Sequence, residues 1–262
     1  MPAAVDPALL LASLPFNAVA AFAVFARIGA AMMTAPAFGD FTLSPRIRLA
    51  VALAVTATLA PVVAPAYPRD LVSGDVAALA RLLFTEIAIG VFLGLAARAM
   101  AAALNVAGQI IALQMGLSLA QIFDPNQQIQ GAIIGGFLAI LGTTMIFATD
   151  LHHVLLAAMR DSYFLFSPGA PIDVGAMAQT MTQTLSGAFS LGVRLAAPFI
   201  VYGLVFYVGA GVLNRLMPQA QVFFMLMPAN LILGLVLLMM TTGLIMTAFL
   251  TRFDAHLAQF LR

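Results

Sequence analysis

The hydrophobic positions of this 262-residue chain fall into long uncharged runs that are separated by short polar or charged segments. A membrane-spanning helix needs about twenty mostly apolar residues. Three arginines, Arg27, Arg98 and Arg194, interrupt apolar sequence without ending it. Uncharged runs of about the required length cover residues 7–26, 49–68, 99–123, 125–149, 174–193, 195–214 and 216–251.

These runs predict an all-α membrane protein with about six long, partly kinked helices and a central polar loop, forming a single domain over residues 1–262. Pro15, Pro61 and Pro198 lie inside apolar runs, where the missing backbone donor kinks a helix. The helices are expected near residues 8–35, 46–66, 79–107, 128–150, 178–212 and 229–251. The loops are expected at residues 35–45, 67–75, 108–127, 161–173 and 215–228.

Composition supports a membrane protein. The chain is 63% hydrophobic and 8% charged, whereas an ordinary soluble domain has about 25% charged residues. All eleven basic residues are arginine, the net charge is +1 and no basic run occurs, so nothing indicates a nucleic-acid partner. Small residues at helix-packing spacing, the pairs Gly90/Gly94 and Gly131/Gly135, predict close contacts between helices.

The centre of the chain has an unusual polar composition. Residues 99–149 carry one charge, Asp124, yet six glutamines lie between Gln109 and Gln130. Irregular backbone survives at membrane depth only where protein or an internal cavity surrounds it. Two apolar helices around an uncharged polar break therefore suggest a segment, residues 108–127, that lines or closes a passage. The alternative is an ordinary amphipathic linker.

Within this segment, Gln114, Ser118 and Gln121 would lie within about 60° of one another on a helix. Neutral amides can meet water or a moving peptide without imposing a charge preference. Gly108 and Gly116 allow the backbone to bend.

Glu86 is the only glutamate of the chain, and the predicted boundaries put it near the start of the third helix. It forms a row at four-residue spacing with Gly90, Gly94 and Arg98. As a functional residue it would be a proton-relay or ion-pathway carboxylate, since intramembrane acids are usually functional. We favour a structural role, in which the helix dipole stabilises the carboxylate and an arginine of a neighbouring helix pairs with it.

The remaining charges and histidines give little support for chemistry. For Arg27 and Arg194 we favour snorkelling or pairing with an acid over substrate contact. The adjacent His152 and His153 would point about 100° apart on a regular helix, which argues against a shared metal ion. No metalloprotease, zinc-ribbon, phosphate-loop or nucleophile-elbow motif is present in the sequence. We predict no enzyme and no catalytic, cofactor-binding or metal-binding residues.

Four segments, in order along the chain, resemble the FliR family of flagellar export proteins. They are RIGAAMMTAPAFG at 27–39 followed by PRIR at 45–48, QIIALQMG at 109–116, RLAAP at 194–198, and NRLMPQAQVFF at 214–224. The resemblance implies a fold like a P subunit fused to a Q subunit of the type III export gate, with the helices arranged in bent hairpins. It also implies a structural role in passing unfolded flagellar subunits across the bacterial inner membrane, within the flagellar basal body.

The resemblance further implies partners and a site. The expected partners are P- and Q-type gate subunits, the B-type and A-type export proteins, and the exported subunits themselves. The central segment would be a channel plug, and Gln114, Met115, Ser118 and Phe123 would face the lumen. The full set of candidate plug residues is Gly108, Gln109, Gln114, Met115, Gly116, Ser118, Gln121, Phe123 and Asp124.

Two alternatives stay open at this stage. A stand-alone secondary transporter for a small solute would use Glu86, Arg98 and a broken central helix, because transporters place their sites at interrupted helices. The equivalent subunit of a virulence injectisome would share the architecture of the flagellar gate.

Overall fold

The computed structural model describes residues 7–39, 44–68, 76–117, 130–217 and 222–261, with side chains other than those at 7–15, 130–132 and 222–224. All regular secondary structure in these ranges is helical. The elements are α1 (Pro7–Thr34), α2 (Pro45–Val63), a 3-10 turn (Ala64–Ala66), α3 (Val76–Ala101), α4 (Ala103–Gln114), α5 (Gln130–Ala148), α6 (Leu151–Leu165), α7 (Val174–Leu216) and α8 (Val222–Ala258).

Five stretches of the described chain are long and apolar enough to cross a membrane, and α5 with α6 gives a sixth if the pair is one broken span. The five are Phe16–Thr34, Pro45–Ala66, Val76–Gln114, Val174–Leu216 and Met225–Ala258. The prediction of an all-α membrane protein with about six long helices is confirmed.

Local sequence explains several helix ends. Ser44 caps α2 by accepting a hydrogen bond from the Ile47 amide, 3.4 Å away, and proline follows at the first helical position. Asp173 caps α7 in the same way, at 3.0 Å from the Ala176 amide. Gly116, with φ of 78°, takes the left-handed conformation that follows many helices and comes directly after the last turn of α4.

The helices differ from the sequence-based prediction in three respects. Residues 108–114, predicted to be loop, are the second half of α4. Both α7 and α8 are longer than predicted, at 43 and 37 residues, because isolated polar residues and Pro228 do not end them. The helix α6 was not predicted because its charges and histidines interrupt the apolar run.

The chain forms two compact units. Unit 1 comprises residues 1–98, 151–181 and 256–262, and unit 2 comprises residues 99–150 and 182–255. Each unit combines segments that are distant in the sequence. The prediction of one membrane domain over residues 1–262 stays a prediction.

In unit 1, α1 packs closely against both α2 and α3. A Cβ atom on Gly90 would overlap the Arg27 carbonyl oxygen, and one on Gly94 would overlap the Thr34 hydroxyl and the Ala31 carbonyl oxygen. The close helix contact predicted for this glycine pair is therefore present, and it lies between α3 and α1.

We expect Gly90→Ala to destabilise unit 1 by about 1–3 kcal/mol, because backbone atoms of α1 must move to admit the methyl group. The thermal midpoint of the purified chain in detergent measures the effect. Gly29→Ala is the matched control, since its new Cβ would meet only the Phe25 ring at an ordinary 3.7 Å. Equal midpoints for the two variants would contradict the close contact.

An aromatic cluster completes the core of unit 1. Phe92 on α3 makes edge-on ring contacts with Phe166, at 6.1 Å between centroids, and with Phe260, at 6.4 Å. Ile89, Leu93, Ala96 and other buried apolar residues surround these rings. The C-terminal residues thereby pack onto α3 and the end of α6.

Unit 2 is built around α4, which packs along α5. A Cβ atom on Gly108 would overlap the backbone of Gly135. Gly108 thus serves close helix packing, and its predicted role as a bend is wrong. The contact of Gly135 with α4 agrees with the close packing predicted for the pair Gly131/Gly135. Gly131 itself lies outside the residues whose side chains are described. A further close approach joins Gly192 of α7 to Val106 of α4.

Candidate functional site

A buried ion pair joins α1 and α3 in unit 1. The Arg27 and Glu86 side chains both have 0% exposure. Arg27 Nε lies 2.5 Å from Glu86 Oε2, and Arg27 Nη2 lies 3.0 Å from Glu86 Oε1. This two-pronged geometry is the strong form of an arginine–carboxylate contact. The pairing favoured from the sequence for both residues is present.

Arg27 also holds the C-terminal end of α6. Its Nη1 donates to the Ser162 carbonyl oxygen at 3.2 Å, and its Nη2 donates to the Phe166 carbonyl oxygen at 3.0 Å. The Ser162 carbonyl oxygen also accepts the Phe166 amide at 2.8 Å, and a cation at the C-terminal end of a helix is favourable. The guanidinium carbon lies 4.0 Å from the centroid of the Tyr163 ring. One side chain of α1 therefore fixes α3 and α6 together.

The position of Glu86 corrects one part of the prediction. Glu86 is the eleventh residue of α3, which begins at Val76, so it lies more than two turns from the helix N-terminus. The effect of a helix dipole is confined to the first turn and does not explain this carboxylate. Among the contacts described for Glu86, the residue that neutralises its charge is Arg27.

Tyr67, just beyond α2, lies beside this cluster, with its ring centroid 6.3 Å from that of Tyr163. Burial raises the pKa of the Tyr67 phenol above its ordinary value, and the Tyr163 phenol and the Glu86 carboxylate add to the effect. The phenol therefore stays neutral at physiological pH. The whole cluster holds one positive and one negative charge and is suited to structural support.

Arg98 supports the turn that follows α1. Its Nη2 donates to the Gly39 carbonyl oxygen at 3.3 Å. The turn is closed by hydrogen bonds between the Gly39 amide and the Ala35 carbonyl and between the Phe38 amide and the Pro36 carbonyl, both 2.9 Å. The segment 27–39 therefore has two structural roles. It forms an ion pair at its start, and the turn at its end is stabilised by Arg98.

Arg194 and the histidine pair differ from these buried groups. Arg194 is exposed on α7. The rings of His152 and His153 lie 4.0 Å apart between centroids, so the expectation that adjacent positions separate the two rings is wrong. The adjacent positions of His152 and His153 therefore do not by themselves exclude a ligand bound by both rings.

The central segment begins in unit 2, at the end of α4. Gln109 is exposed, whereas Gly108, Met115 and Gly116 are buried and Gln114 is half-buried. Met115 has 1% exposure, and its predicted role in the lumen stays a prediction. The other candidate plug residues, Ser118, Gln121, Phe123 and Asp124, lie outside the described residues.

The side chains at the end of α4 pack against two glycines. A Cβ atom on Gly203 of α7 would overlap the Gln114 amide, and a Cβ atom on Gly234 of α8 would overlap the Met115 side chain. We call these two positions the glycine notches. They exist because the glycine has no side chain where α4 approaches each of the two long helices.

A polar cap lies next to the notches. The Asn230 Nδ2 donates to the Gln114 carbonyl oxygen at 3.3 Å, and the Tyr202 hydroxyl lies 2.7 Å from Asn230 Oδ1 and 3.1 Å from its carbonyl oxygen. Asn230 has only 3% exposure, so its amide is satisfied inside the protein. We call Tyr202 and Asn230 the amide cap, because Asn230 donates to the last carbonyl of α4 and Tyr202 donates to Asn230.

The sequence-based reasoning missed Tyr202, Asn230 and the glycine notches. One signal was available: Asn230 is an amide inside the uncharged run 216–251, and polar groups at membrane depth usually have a partner. The partner itself is a carbonyl 116 residues earlier in the chain, which no local pattern identifies.

The fold and these polar contacts define an integral membrane protein of the all-α class. Residues 18–256 match the family model of the bacterial export proteins, family 1. This chain belongs to that family, the FliR family.

Several curated relatives match the chain over most of their length. The flagellar biosynthetic protein FliR of Caulobacter vibrioides is 40% identical over 223 residues, which is 85% of this chain and 88% of the relative. The protein of that name from Escherichia coli is 30% identical over 217 residues, covering 81% and 80%. The one from Bacillus subtilis is 27% identical over 227 residues, covering 85% of each.

Proposed function

We propose that this chain is a structural channel subunit of the flagellar type III protein export gate. It would assemble with P- and Q-type subunits and pass unfolded flagellar subunits across the bacterial inner membrane, within the basal body. The observation that carries the proposal is the family match over residues 18–256, in a chain whose described residues include five or six apolar spans. The B-type and A-type export proteins are further proposed partners.

Exposed apolar surface on unit 2 supports assembly with other subunits. Side chains of α7 and α8 that unit 2 leaves uncovered are large and apolar along most of each helix, and several exceed 60% exposure. Lipid and neighbouring subunits are the two environments that satisfy such faces. Examples are Phe189, Val201, Leu204, Val205, Val208, Ile232, Met239, Met240 and Leu244.

The central segment is the proposed plug, and its helical first part is proposed to act as an anchor. Residues 108–114 are helical, and the contact of Gly108 with α5 anchors them. We propose that the closing part begins after Gly116, which lies two residues beyond the end of α4. The residues proposed to close the passage are those from Ser118 to Asp124, and Gln114 and Met115 belong to the anchor.

The alternatives are less well supported. A transporter would need Glu86 to bind an ion or proton, but this carboxylate is buried and engaged by Arg27. An injectisome subunit is disfavoured because the matched relatives carry a flagellar name.

Complementation tests the proposal. In a Caulobacter vibrioides strain that lacks its own FliR, the chain is expected to restore motility and the secretion of flagellar subunits. It should also co-purify with P- and Q-type subunits from a detergent extract. The strain's own FliR gene is the positive control, and an empty vector is the negative control. A stable monomer that never co-purifies with gate subunits and takes up solute in vesicles would refute the proposal and favour a transporter.

A further inference from the structure

We propose that Asp150, His152 and His153 form a binding site for a divalent transition-metal ion, with Zn²⁺ as the probe. One carboxylate oxygen and two imidazole nitrogens lie within 4.8 Å of one another there. The three residues fall within four consecutive positions of the chain, so the local backbone is enough to bring them together. The site goes beyond the proposed function, and neither depends on the other.

The position of the two imidazole rings is the first argument. Adjacent side chains of a regular helix point about 100° apart. The rings of His152 and His153 nevertheless lie 4.0 Å apart between centroids, with 38° between their planes. Both rings have therefore turned to the same side of the first turn of α6, which begins at Leu151. Two nitrogen donors are thereby presented together.

The backbone at Asp150 is the second argument. Asp150 has a φ of 59°, in the left-handed region that residues with a side chain seldom adopt. Its amide donates to the Phe147 carbonyl oxygen at 3.3 Å, which closes a turn directly before α6. Backbone in such sparsely populated conformations clusters at functional sites. Here the turn places the Asp150 carboxylate within reach of both imidazole rings.

The chemistry of the donors selects the ion. Imidazole nitrogen suits zinc, nickel, copper and iron, whereas Mg²⁺ and Ca²⁺ prefer oxygen ligands. Two imidazoles and one carboxylate also form the ligand set of some open zinc sites. Ligands lie about 2.0–2.2 Å from zinc, so side-chain rotation must close the three atoms by roughly 1 Å. Asp150 and His153 are exposed and His152 is half-buried, so water can complete the coordination.

An ion bound here would tie the turn to the start of α6. The carboxylate comes from the residue before the helix, and the imidazoles come from its second and third residues. An ion that binds only the folded chain stabilises it. A metal ion at this position would also contradict the sequence-based prediction of no metal-binding residue, which relied on the two rings pointing apart.

Zinc titration of the full chain tests the site. The chain has no cysteine and only one further histidine, His256, so few other imidazole or thiolate ligands compete. The chain is purified in detergent through a tag without histidine and titrated calorimetrically with zinc chloride in excess magnesium chloride. We expect one saturable Zn²⁺ site per chain. Asp150→Asn, His152→Gln and His153→Gln should each weaken zinc binding by about tenfold or more, since even the outer partners of a metal site contribute that much.

Matched controls separate the site from general effects of substitution. Asparagine also tolerates the left-handed conformation, so Asp150→Asn removes the charge and keeps the backbone. His256→Gln and Asp254→Asn remove the same chemical groups from α8 and should leave the zinc affinity unchanged. Equal zinc binding by all five variants would show an adventitious ion only and would overturn the proposal. The absence of saturable binding would overturn it as well.

Protection of the unaltered chain is a second test, which needs no variant and stays decisive if a variant fails to fold. Diethyl pyrocarbonate modifies accessible imidazole nitrogens, and mass spectrometry locates the modified residues. Zn²⁺ should lower the modification of His152 and His153 in proportion to the bound fraction and should leave that of His256 unchanged. Protection of only one of the two adjacent histidines, or of all three histidines alike, would overturn the shared site.

Discussion

Replacing Arg27 with methionine is expected to destabilise the folded chain by about 3–5 kcal/mol, because it leaves the Glu86 carboxylate buried and unpaired. It also removes the donors to the Ser162 and Phe166 carbonyl oxygens at the end of α6. We expect little folded protein after detergent extraction and no complementation of motility. The thermal midpoint in detergent and the amount of chain that co-purifies with gate subunits measure the effect.

Two controls isolate the buried charge. The double variant Arg27→Met with Glu86→Met should recover part of the loss, since an apolar pair of similar size leaves no unpaired charge. Arg194→Met removes an arginine from an exposed position of α7 and should change the midpoint little. A double variant no better folded than the single one would argue against the ion pair as the source of the effect.

Deleting residues 118–123 is expected to leave the gate assembled but permeable to ions. The deletion leaves intact α4 and its contacts with α5, α7 and α8, so the surfaces that hold unit 2 together stay in place. Loss of membrane potential in cells that express the variant measures the leak, and co-purification measures assembly.

The matched control removes the same number of residues from the anchor. Deleting residues 109–114 takes away the last turns of α4, including the Gln114 contacts with Gly203 and Asn230. This variant should fail to assemble and should therefore give no leak. A leak from both deletions, or from neither, would contradict the division into an anchor and a closing part.

The buried charges and the central glutamines show what the local sequence pattern can reveal. Arg27 and Glu86 stood out because each is a charge in an apolar run, and pairing follows from the cost of burying an isolated charge. The central segment stood out because it is rich in glutamine. That pattern did not show where the helix ends, because glutamine is compatible with helix and loop alike.

The predicted bend at Gly108 illustrates a second limit. Glycine serves a bend, a positive φ or a close approach, and the sequence does not distinguish among them. In the structure Gly116 has the positive φ, whereas Gly108 lies inside α4 against the backbone of Gly135. The neighbouring helix, not the local sequence, decides which use applies.

The sequence by itself determined the class of the protein, because long uncharged runs can satisfy their backbone only as helices in an apolar environment. It also determined the family, through four segments that occur in order. Only the tertiary structure decided that Arg27 serves both Glu86 and the end of α6, and that Asn230 caps the end of α4. These contacts join residues 59, 139 and 116 positions apart, and each depends on the geometry of helix packing, which no local periodicity encodes.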